Sequence, residues 1–186
     1  MRKLLLLTGD IAAGKSAFSR QLSERYGVPA FQKDSIKEIL GDSIGFRNRE
    51  ENVKLSRATM ELMYHFFRQF AVSAGNLILE ANFHGYELQE MHRIAGETQY
   101  DVLTLVLRGD ADVLYERYLH RMNCEHRHPV HLSTTIDRKD DFMRCAELLR
   151  EETVMGNVIE VDASSFFYQT DPALLRKIDL FMSGSR

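Results

Sequence analysis

The sequence predicts an α/β fold in three layers, in which a five-stranded parallel sheet lies between two layers of helices. Short apolar runs, typical of buried strands, alternate along the chain with longer segments of helical periodicity. The first run, residues 4–7, is four leucines in a row, as expected for a strand that is covered on both faces. Alternating strands and helices form parallel sheets with right-handed connections, and 186 residues suit one such domain.

The elements follow from this periodicity and from residues that begin or end helices. Gly27 and Gly75 can end the first and third helices, because glycine readily adopts the left-handed conformation found there. Asp171 can cap the last helix, whose first residue is a proline. The predicted strands are residues 4–7, 29–32, 76–80, 101–107 and 158–161, and the predicted helices are about 15–26, 35–40, 51–74, 87–97, 111–122, 137–152 and 172–181.

Residues 123–136, after the fifth predicted helix, have little periodicity and are dense in charged side chains and histidines. We expect them to form a small arginine-rich lid. Cys124, His126, His128 and His131 are all capable metal ligands, but their spacing fits no standard zinc pattern. Contact of His128 or His131 with substrate or phosphate is the alternative that lid position favours.

Composition narrows the class of protein. A net charge of −3 gives no overall basic signal for nucleic acid or for an anionic membrane, although it leaves room for a local basic groove. The sequence contains no stretch close to the roughly 18 apolar residues of a membrane span. Cys124 and Cys145 lie outside any C-x-x-C pattern, which is typical of a reducing compartment. We therefore expect a soluble cytoplasmic protein.

The strongest functional signal is the segment from Gly9 to Ser16, which fits the phosphate-binding pattern G-x-x-x-x-G-K-[ST] between a strand and a helix. Gly9 and Gly14 allow the backbone to turn tightly, so that its N–H groups and the helix N terminus face phosphate oxygens. Lys15 is expected to reach the β- and γ-phosphates, and Ser16 to bind Mg²⁺. The predicted nucleotide-binding residues are Gly9, Asp10, Ile11, Ala12, Ala13, Gly14, Lys15, Ser16 and Ala17.

A phosphate-binding loop does not by itself specify a reaction. The sequence has no N-K-x-D segment of the kind that reads guanine in GTPases, and ring ATPases usually need a larger chain and a strand that ends in Asp-Glu. Here the third predicted strand ends at one acid, Glu80, and Asp34 follows the second strand. Both would lie at the carboxyl edge of the sheet, where such folds bind ligands. We expect Glu80 near Mg²⁺ or substrate and Asp34 at the substrate, with a solvated charge and a helix cap as the respective alternatives.

The chain resembles the small phosphate-loop kinases around zeta toxins, chloramphenicol phosphotransferase and the kinase domain of polynucleotide kinases. The resemblance rests on the phosphate-binding loop, on Asp34, and on the region from Arg117-x-x-x-Arg121 to Arg127. It implies that Asp34 accepts the proton of an acceptor hydroxyl and that the three arginines embrace the triphosphate, the alternative being surface charges on an amphipathic helix. Polynucleotide kinases typically have D-x-x-R at the acid, whereas Lys37 stands here and cannot form a bidentate fork with phosphate.

The resemblance and the motif together predict an ATP-dependent kinase that transfers the γ-phosphoryl group of ATP, with Mg²⁺, to a hydroxyl of a small molecule. Such transfer depends mostly on positioning and charge stabilisation. A nucleic-acid 5′-hydroxyl kinase, and a nucleotide-binding regulatory module without acceptor chemistry, are the alternatives. The predicted site residues are Lys15, Asp34, Arg117, Arg121 and Arg127 for catalysis, Ser16 and Glu80 for Mg²⁺, and Asp34, Lys37, Glu80 and Asn82 for substrate.

Overall fold

The computed structural model describes residues 2–73, 75–125, 127–132, 136, 138–151 and 154–184. The strands are β1 (Arg2–Gly9), β2 (Ala30–Gln32), β3 (Leu77–Glu80), β4 (Tyr100–Arg108) and β5 (Asn157–Asp162). The α-helices are α1 (Lys15–Tyr26), α2 (Lys33–Ile44), α3 (Arg49–Val72), α4 (Gly85–Glu97), α5 (Ala111–Cys124), α6 (Pro129–Leu132), α7 (Lys139–Glu151) and α8 (Pro172–Ser183), and a 3₁₀ helix spans Phe166–Gln169.

The five strands form one parallel sheet in the order β2-β3-β1-β4-β5, which confirms the predicted architecture. β1 is central and pairs with β3 on one side and β4 on the other. The chain moves from β1 towards β2 and later crosses to β4, so the direction of winding reverses at β1. A crevice at the carboxyl end of the central strand is the usual ligand site in such a sheet.

The four leucines of β1 explain the two helical layers. All four are fully buried, and successive side chains of a strand point to opposite faces. Leu5 and Leu7 belong to the core on one face of the sheet, which includes Phe18 of α1. Leu4 and Leu6 belong to the core on the other face, with residues of α3 and α4. The uninterrupted apolar run is therefore a strand with a core on each side.

Several predicted boundaries differ from the structure. α2 begins directly after the three-residue strand β2 and continues to Ile44, well beyond the predicted end near residue 40. Asp34 consequently lies inside the first turn of α2 rather than in a loop before it. The helix predicted from residue 51 begins at Arg49, because Asn48 caps it by accepting a hydrogen bond from the Glu51 N–H.

The predicted lid, residues 123–136, contains a short helix that periodicity did not indicate. The end of α5 and all of α6 lie within it, while residues 126 and 133–135 lie outside the described part of the chain. At the C terminus, Asp171 accepts a hydrogen bond from the Ala173 N–H, as predicted for the cap of α8. Within the described ranges, none of the helices combines the length and apolar character of a membrane span. The cytoplasmic location stays a prediction.

Candidate functional site

The phosphate-binding loop joins β1 to α1 in a conformation that requires its two glycines. Gly9 and Gly14 have positive φ angles of 122° and 86°. A Cβ atom on Gly9 would lie 2.1 Å from the carbonyl oxygen of Leu107 at the end of β4. The N–H of Asp10 donates to that same oxygen at 2.8 Å. The loop therefore lies against the neighbouring strand so closely that no side chain fits at residue 9.

Lys15 extends back across the loop. Its Nζ donates hydrogen bonds to the carbonyl oxygens of Gly9 at 3.1 Å and Asp10 at 2.6 Å. Burial lowers the pKa of Lys15, and the negative charges of Glu80, Asp34 and Asp10 oppose that shift. The ammonium group thus lies within the loop, where it can meet an anion, and several carboxylates act on it.

Ser16 and Glu80 form the candidate metal site. The Ser16 hydroxyl donates to Glu80 Oε2 at 2.9 Å, and Glu80 is buried at the end of β3. Burial raises the pKa of Glu80, an effect that the Lys15 charge and the Ser16 hydrogen bond oppose. A hydroxyl and a carboxylate oxygen are ligands that suit Mg²⁺, which usually takes its other ligands from phosphates and water. The chemistry of these two side chains fits the predicted ion.

The zinc hypothesis receives no support from the described residues. Among them, no group of three or more His, Cys, Asp or Glu side chains is placed to hold a metal ion. His126, one of the four candidate ligands, lies outside the described residues.

Asp34 lies on the same side of the molecule as the loop. Its charge raises the pKa values of Lys15 and Glu80, and it also acts on Arg127. The alternative of a helix cap does not hold, because Gln32 occupies the N-cap position of α2. Asp34 is instead an exposed acid in the first helical turn, where the helix dipole favours negative charge. Its carboxylate is therefore accessible to an acceptor molecule.

The other two predicted substrate residues are Lys37 and Asn82. Lys37, one turn after Asp34, is 7% exposed and makes no hydrogen bond or ion pair with the residues that the structure describes. Burial lowers its pKa, and the charge of Asp34 opposes the shift. Asn82 follows Glu80, beside the end of β1, and its buried Oδ1 has no hydrogen-bond partner among the described residues. Both side chains therefore have hydrogen-bonding groups without a partner among the described residues.

Two of the three predicted arginines interact electrostatically with the residues around the loop. The charge of Arg121 lowers the pKa of Lys15, so the two cations lie within electrostatic reach of each other. Arg127 is half-buried, and its pKa is lowered by burial and by Arg121 and raised by Asp34. Lys15, Asp34, Arg121 and Arg127 thus form one group of interacting charges.

Arg117 is held in a different place. Its guanidinium donates to the carbonyl oxygens of Ala163 at 2.6 Å and Ser164 at 2.7 Å, and it lies 4.1 Å from the ring centre of Phe166. Arg117 therefore lies against the loop that follows β5, whereas the resemblance implied that it embraces the triphosphate. Its role in phosphate binding stays a prediction. The two carbonyl oxygens already accept hydrogen bonds from part of its guanidinium group.

The segment after β5 also closes against the phosphate-binding loop, which the sequence did not indicate. The Tyr168 hydroxyl donates to the carbonyl oxygen of Ala13 at 2.8 Å. A Cβ on Gly14 would lie 2.6 Å from that hydroxyl and 2.9 Å from Cε1 of Phe166. A residue with a Cβ at position 14 would therefore have to displace these two side chains, in addition to adopting a positive φ angle.

Residues 127–132 of the lid, which include α6, lie against α2 and α3, and we name them the docked segment. His128 Nε2 is 2.9 Å from Asp42 Oδ1, and His131 Nε2 is 2.8 Å from Glu38 Oε1. Val130 between them is fully buried. The two histidines, for which contact with substrate or phosphate was the favoured alternative, therefore contact acids of α2.

Sequence reasoning missed Arg150 entirely. Asp10 was predicted to contribute its backbone to nucleotide binding, yet its carboxylate is 1% exposed and is held by Arg150, with Nη2 2.6 Å from Oδ2. The two residues are 140 positions apart, and no motif links them.

Comparison with known proteins gives a family and a set of similar folds. Residues 5–141 match the model of a family described as an AAA domain. No curated protein matches the chain in sequence. A proposed kinase from Chloroflexus aurantiacus J-10-fl has a similar structure, with 25% identity, a TM-score of 0.81, and coverage of 97% of this chain and 98% of that one.

Two solved kinases show the same fold at lower identity. A gluconokinase from Sinorhizobium meliloti 1021 is 15% identical, with a TM-score of 0.58 and full coverage of both chains. A shikimate kinase from Bacteroides thetaiotaomicron is 17% identical, with a TM-score of 0.56 and coverage of 96% of this chain and 97% of that one. At these identities the likeness concerns the fold alone.

Proposed function

The chain belongs to the AAA domain family, and we propose that its phosphate-binding loop serves an ATP-dependent kinase that phosphorylates a hydroxyl of a small molecule. One observation carries the proposal: Asp34 lies two residues after Gln32, which pairs in register with Glu80 and donates to the Ser16 carbonyl oxygen at 2.7 Å. The charge of Asp34 accordingly acts on the pKa values of Lys15 in the loop and of Arg127 in the docked segment. An exposed acid beside the phosphate-binding loop can orient an alcohol and accept its proton, as phosphoryl transfer to an alcohol requires.

Each side chain has a distinct part in the proposed transfer. Lys15 leaves the carbonyl oxygens of Gly9 and Asp10 and binds the β- and γ-phosphates. Asp34 orients the acceptor hydroxyl and takes its proton as the new O–P bond forms, while the bond to the leaving ADP oxygen breaks. Arg121 and Arg127 balance the charge of the transferring group. Positioning and charge stabilisation of this kind account for most of the catalysis in phosphoryl transfer.

Ser16 and Glu80 would hold Mg²⁺, directly or through water. When bound, the ion neutralises charge on the β- and γ-phosphates. The Ser16–Glu80 hydrogen bond of 2.9 Å already brings the two oxygen ligands together. This pairing supports the assignment of both residues to the metal.

A small-molecule acceptor agrees best with the comparisons and with the charges at Asp34. The kinases of similar fold are named for gluconate and shikimate, both small hydroxylated acids. Lys37 is buried, cationic and without an ion pair among the described residues, and it lies one turn from Asp34. Together with Asn82, it gives the acceptor site a cation and an amide for recognition. We therefore favour a compact polar acceptor over a nucleic-acid 5′ end.

The test is ADP formation from ATP and Mg²⁺ in the presence of a panel of sugars, sugar acids and other small alcohols. We expect at least one acceptor to accelerate ADP release above the rate of hydrolysis and to yield a phosphorylated product. Asp34→Asn should lower kcat by about 100-fold or more with little change in KM for ATP. Glu24→Gln, which removes an exposed acid at the far end of α1, is the matched control.

Three results would contradict parts of the proposal. Full transfer activity in Asp34→Asn would remove the base assignment. Phosphorylation of a 5′-hydroxyl oligonucleotide, with none of the small alcohols, would favour a nucleic-acid end kinase. Slow hydrolysis that no acceptor accelerates would favour a nucleotide-binding regulatory module.

A further inference from the structure

Asp10 places a buried carboxylate within a loop that has the sequence and shape for binding phosphate. The side chain is 1% exposed, and its Oδ2 accepts a hydrogen bond from the Gly109 N–H at 3.1 Å. The phosphate-binding pattern requires no acid at this position. A buried negative charge is costly by itself, and close to a polyphosphate it is also repulsive. It therefore needs a cation.

Arg150 supplies that cation from the last turn of α7. Its Nη2 is 2.6 Å from Asp10 Oδ2, and its Nε is 3.2 and 3.3 Å from the two carboxylate oxygens. The same Nη2 donates to the carbonyl oxygen of Gly109 at 2.5 Å. The hydrogen bond to Asp10 raises the pKa of Arg150. Arg150 thus fixes both the orientation and the charge of the Asp10 carboxylate.

The backbone of Asp10 connects this pair to the loop lysine. The Asp10 carbonyl oxygen accepts the Lys15 hydrogen bond of 2.6 Å, and the Asp10 N–H donates a hydrogen bond to the carbonyl oxygen of Leu107. One residue therefore receives the arginine through its side chain and the lysine through its backbone. A shift of Asp10 would move the Lys15 partner as well.

We propose that Arg150 is a positioning residue for the nucleotide. By neutralising Asp10 it keeps the loop electrostatically compatible with a triphosphate, and it ties the helix that follows the lid to the loop itself. The inference rests on the proposed function, because it concerns the same nucleotide site. Arg150 has no assigned contact with the reacting atoms, so its loss should affect nucleotide affinity more than the transfer step.

The test is ATP binding in the presence of Mg²⁺, measured by isothermal titration calorimetry, and steady-state kinetics. Arg150→Gln should weaken ATP binding by about tenfold or more, because it leaves the Asp10 charge without its partner. KM for ATP should rise by a similar factor, with kcat at saturating ATP within about threefold of wild type. The double variant Arg150→Gln/Asp10→Asn should recover affinity to within about threefold, since no buried charge remains.

Arg25→Gln is the matched control. It breaks another arginine–aspartate pair, in which Arg25 Nη2 is 2.7 Å from Asp179 Oδ2, on an exposed surface away from the loop. ATP affinity should not change in this variant. Circular dichroism and thermal unfolding establish that each variant is folded.

Each outcome decides between explanations. If Arg150→Gln binds ATP as tightly as wild type, the inference is wrong. If the double variant stays as weak as Arg150→Gln, the loss comes from packing and the charge argument is wrong. Should Arg150→Gln not fold, the double variant decides, because it must fold and bind ATP near the wild-type affinity. If wild-type protein does not bind ATP, the proposed function fails and this inference fails with it.

Discussion

Gly41 lies inside α2 where the helix meets the docked segment, and Gly41→Ala should separate the two. A Cβ on Gly41 would lie 2.3 Å from Cγ1 of Val130 and 3.3 Å from Cε1 of His128. The Val130 carbonyl oxygen also accepts a hydrogen bond of 2.6 Å from the Asn52 side chain. Contact this close cannot persist, so the Val130 side chain, the helix or the docked segment must move, and full burial leaves the Val130 side chain little room. The docked segment is the shorter element, and we expect it to move.

The magnitude follows from two opposing effects. Alanine in a helix interior is more favourable than glycine by about 1 kcal/mol. Releasing the docked segment loses the burial of Val130, roughly 1.5–3 kcal/mol, and the Asn52 hydrogen bond, about 1 kcal/mol. Gly41→Ala should therefore weaken docking by about 2.5–4 kcal/mol. The helix gain of about 1 kcal/mol offsets only part of this loss, so the free energy of global unfolding should fall by about 1.5–3 kcal/mol.

Hydrogen exchange of the docked segment measures this effect directly. Its amides should exchange about 50-fold faster or more in Gly41→Ala, since each 1.4 kcal/mol corresponds to a factor of ten. Transfer activity should fall as well, because Arg127 belongs to this segment. Removing the methyl group that clashes, in Gly41→Ala/Val130→Ala, should restore slower exchange than in the single variant.

Gly96→Ala is the matched control for the same substitution in a helix. A Cβ at Gly96, near the end of α4, meets nothing within 4 Å. It should increase the free energy of unfolding by up to about 1 kcal/mol and leave both exchange and activity unchanged. Wild-type exchange of the docked segment in Gly41→Ala would refute the argument.

Two further predictions concern stability. Gly9→Ala should lower the free energy of unfolding by more than about 3 kcal/mol in urea titrations, because its Cβ would lie 2.1 Å from the Leu107 carbonyl oxygen. Gly27→Ala, which has open space around its Cβ, should lower that free energy by only about 1 kcal/mol. Equal losses in the two variants would contradict this prediction. Burial raises the pKa of Glu80 above its ordinary value of 4.5, so the stability linked to its neutral form is present below that value and is lost as pH rises through the raised pKa. In urea unfolding at several pH values, the stability of Glu80→Gln relative to wild type should therefore increase as pH rises above about 4.5. A constant difference between the two proteins would rule this out.

The parts of the fold that the sequence predicted well are those that local patterns encode. The four leucines of β1 require cover on both faces, and both cores are present. The glycines of the phosphate-binding loop have the positive φ angles that their type suggests. Strand alternation sufficed for a five-stranded parallel sheet, because parallel strands need helical crossovers. These signals all act over fewer than about 20 residues.

The parts that sequence reasoning missed depend on side chains far apart in the chain. Arg150 reaches Asp10 across 140 positions, and Arg117 reaches Ala163 across 46. The i,i+4 spacing of Arg117 and Arg121 correctly indicated helical neighbours, but it could not say which partners each guanidinium would find. Gly41 gave no signal either, because the role of a glycine within a helix depends on the residues that pack against it.

The groups expected to bind phosphate and Mg²⁺ already have partners within the protein. Lys15 and Ser16, the two groups expected to bind phosphate and Mg²⁺, are already hydrogen-bonded to backbone carbonyls and to Glu80. Binding of the metal–nucleotide complex therefore exchanges partners within the loop and does not simply add new ones. Such an exchange depends on the balance of nearby charges, and Asp34 contributes to that balance through Lys15. Replacing Asp34 should therefore also change how pH affects nucleotide binding, which distinguishes it from a surface acid with no connection to the loop.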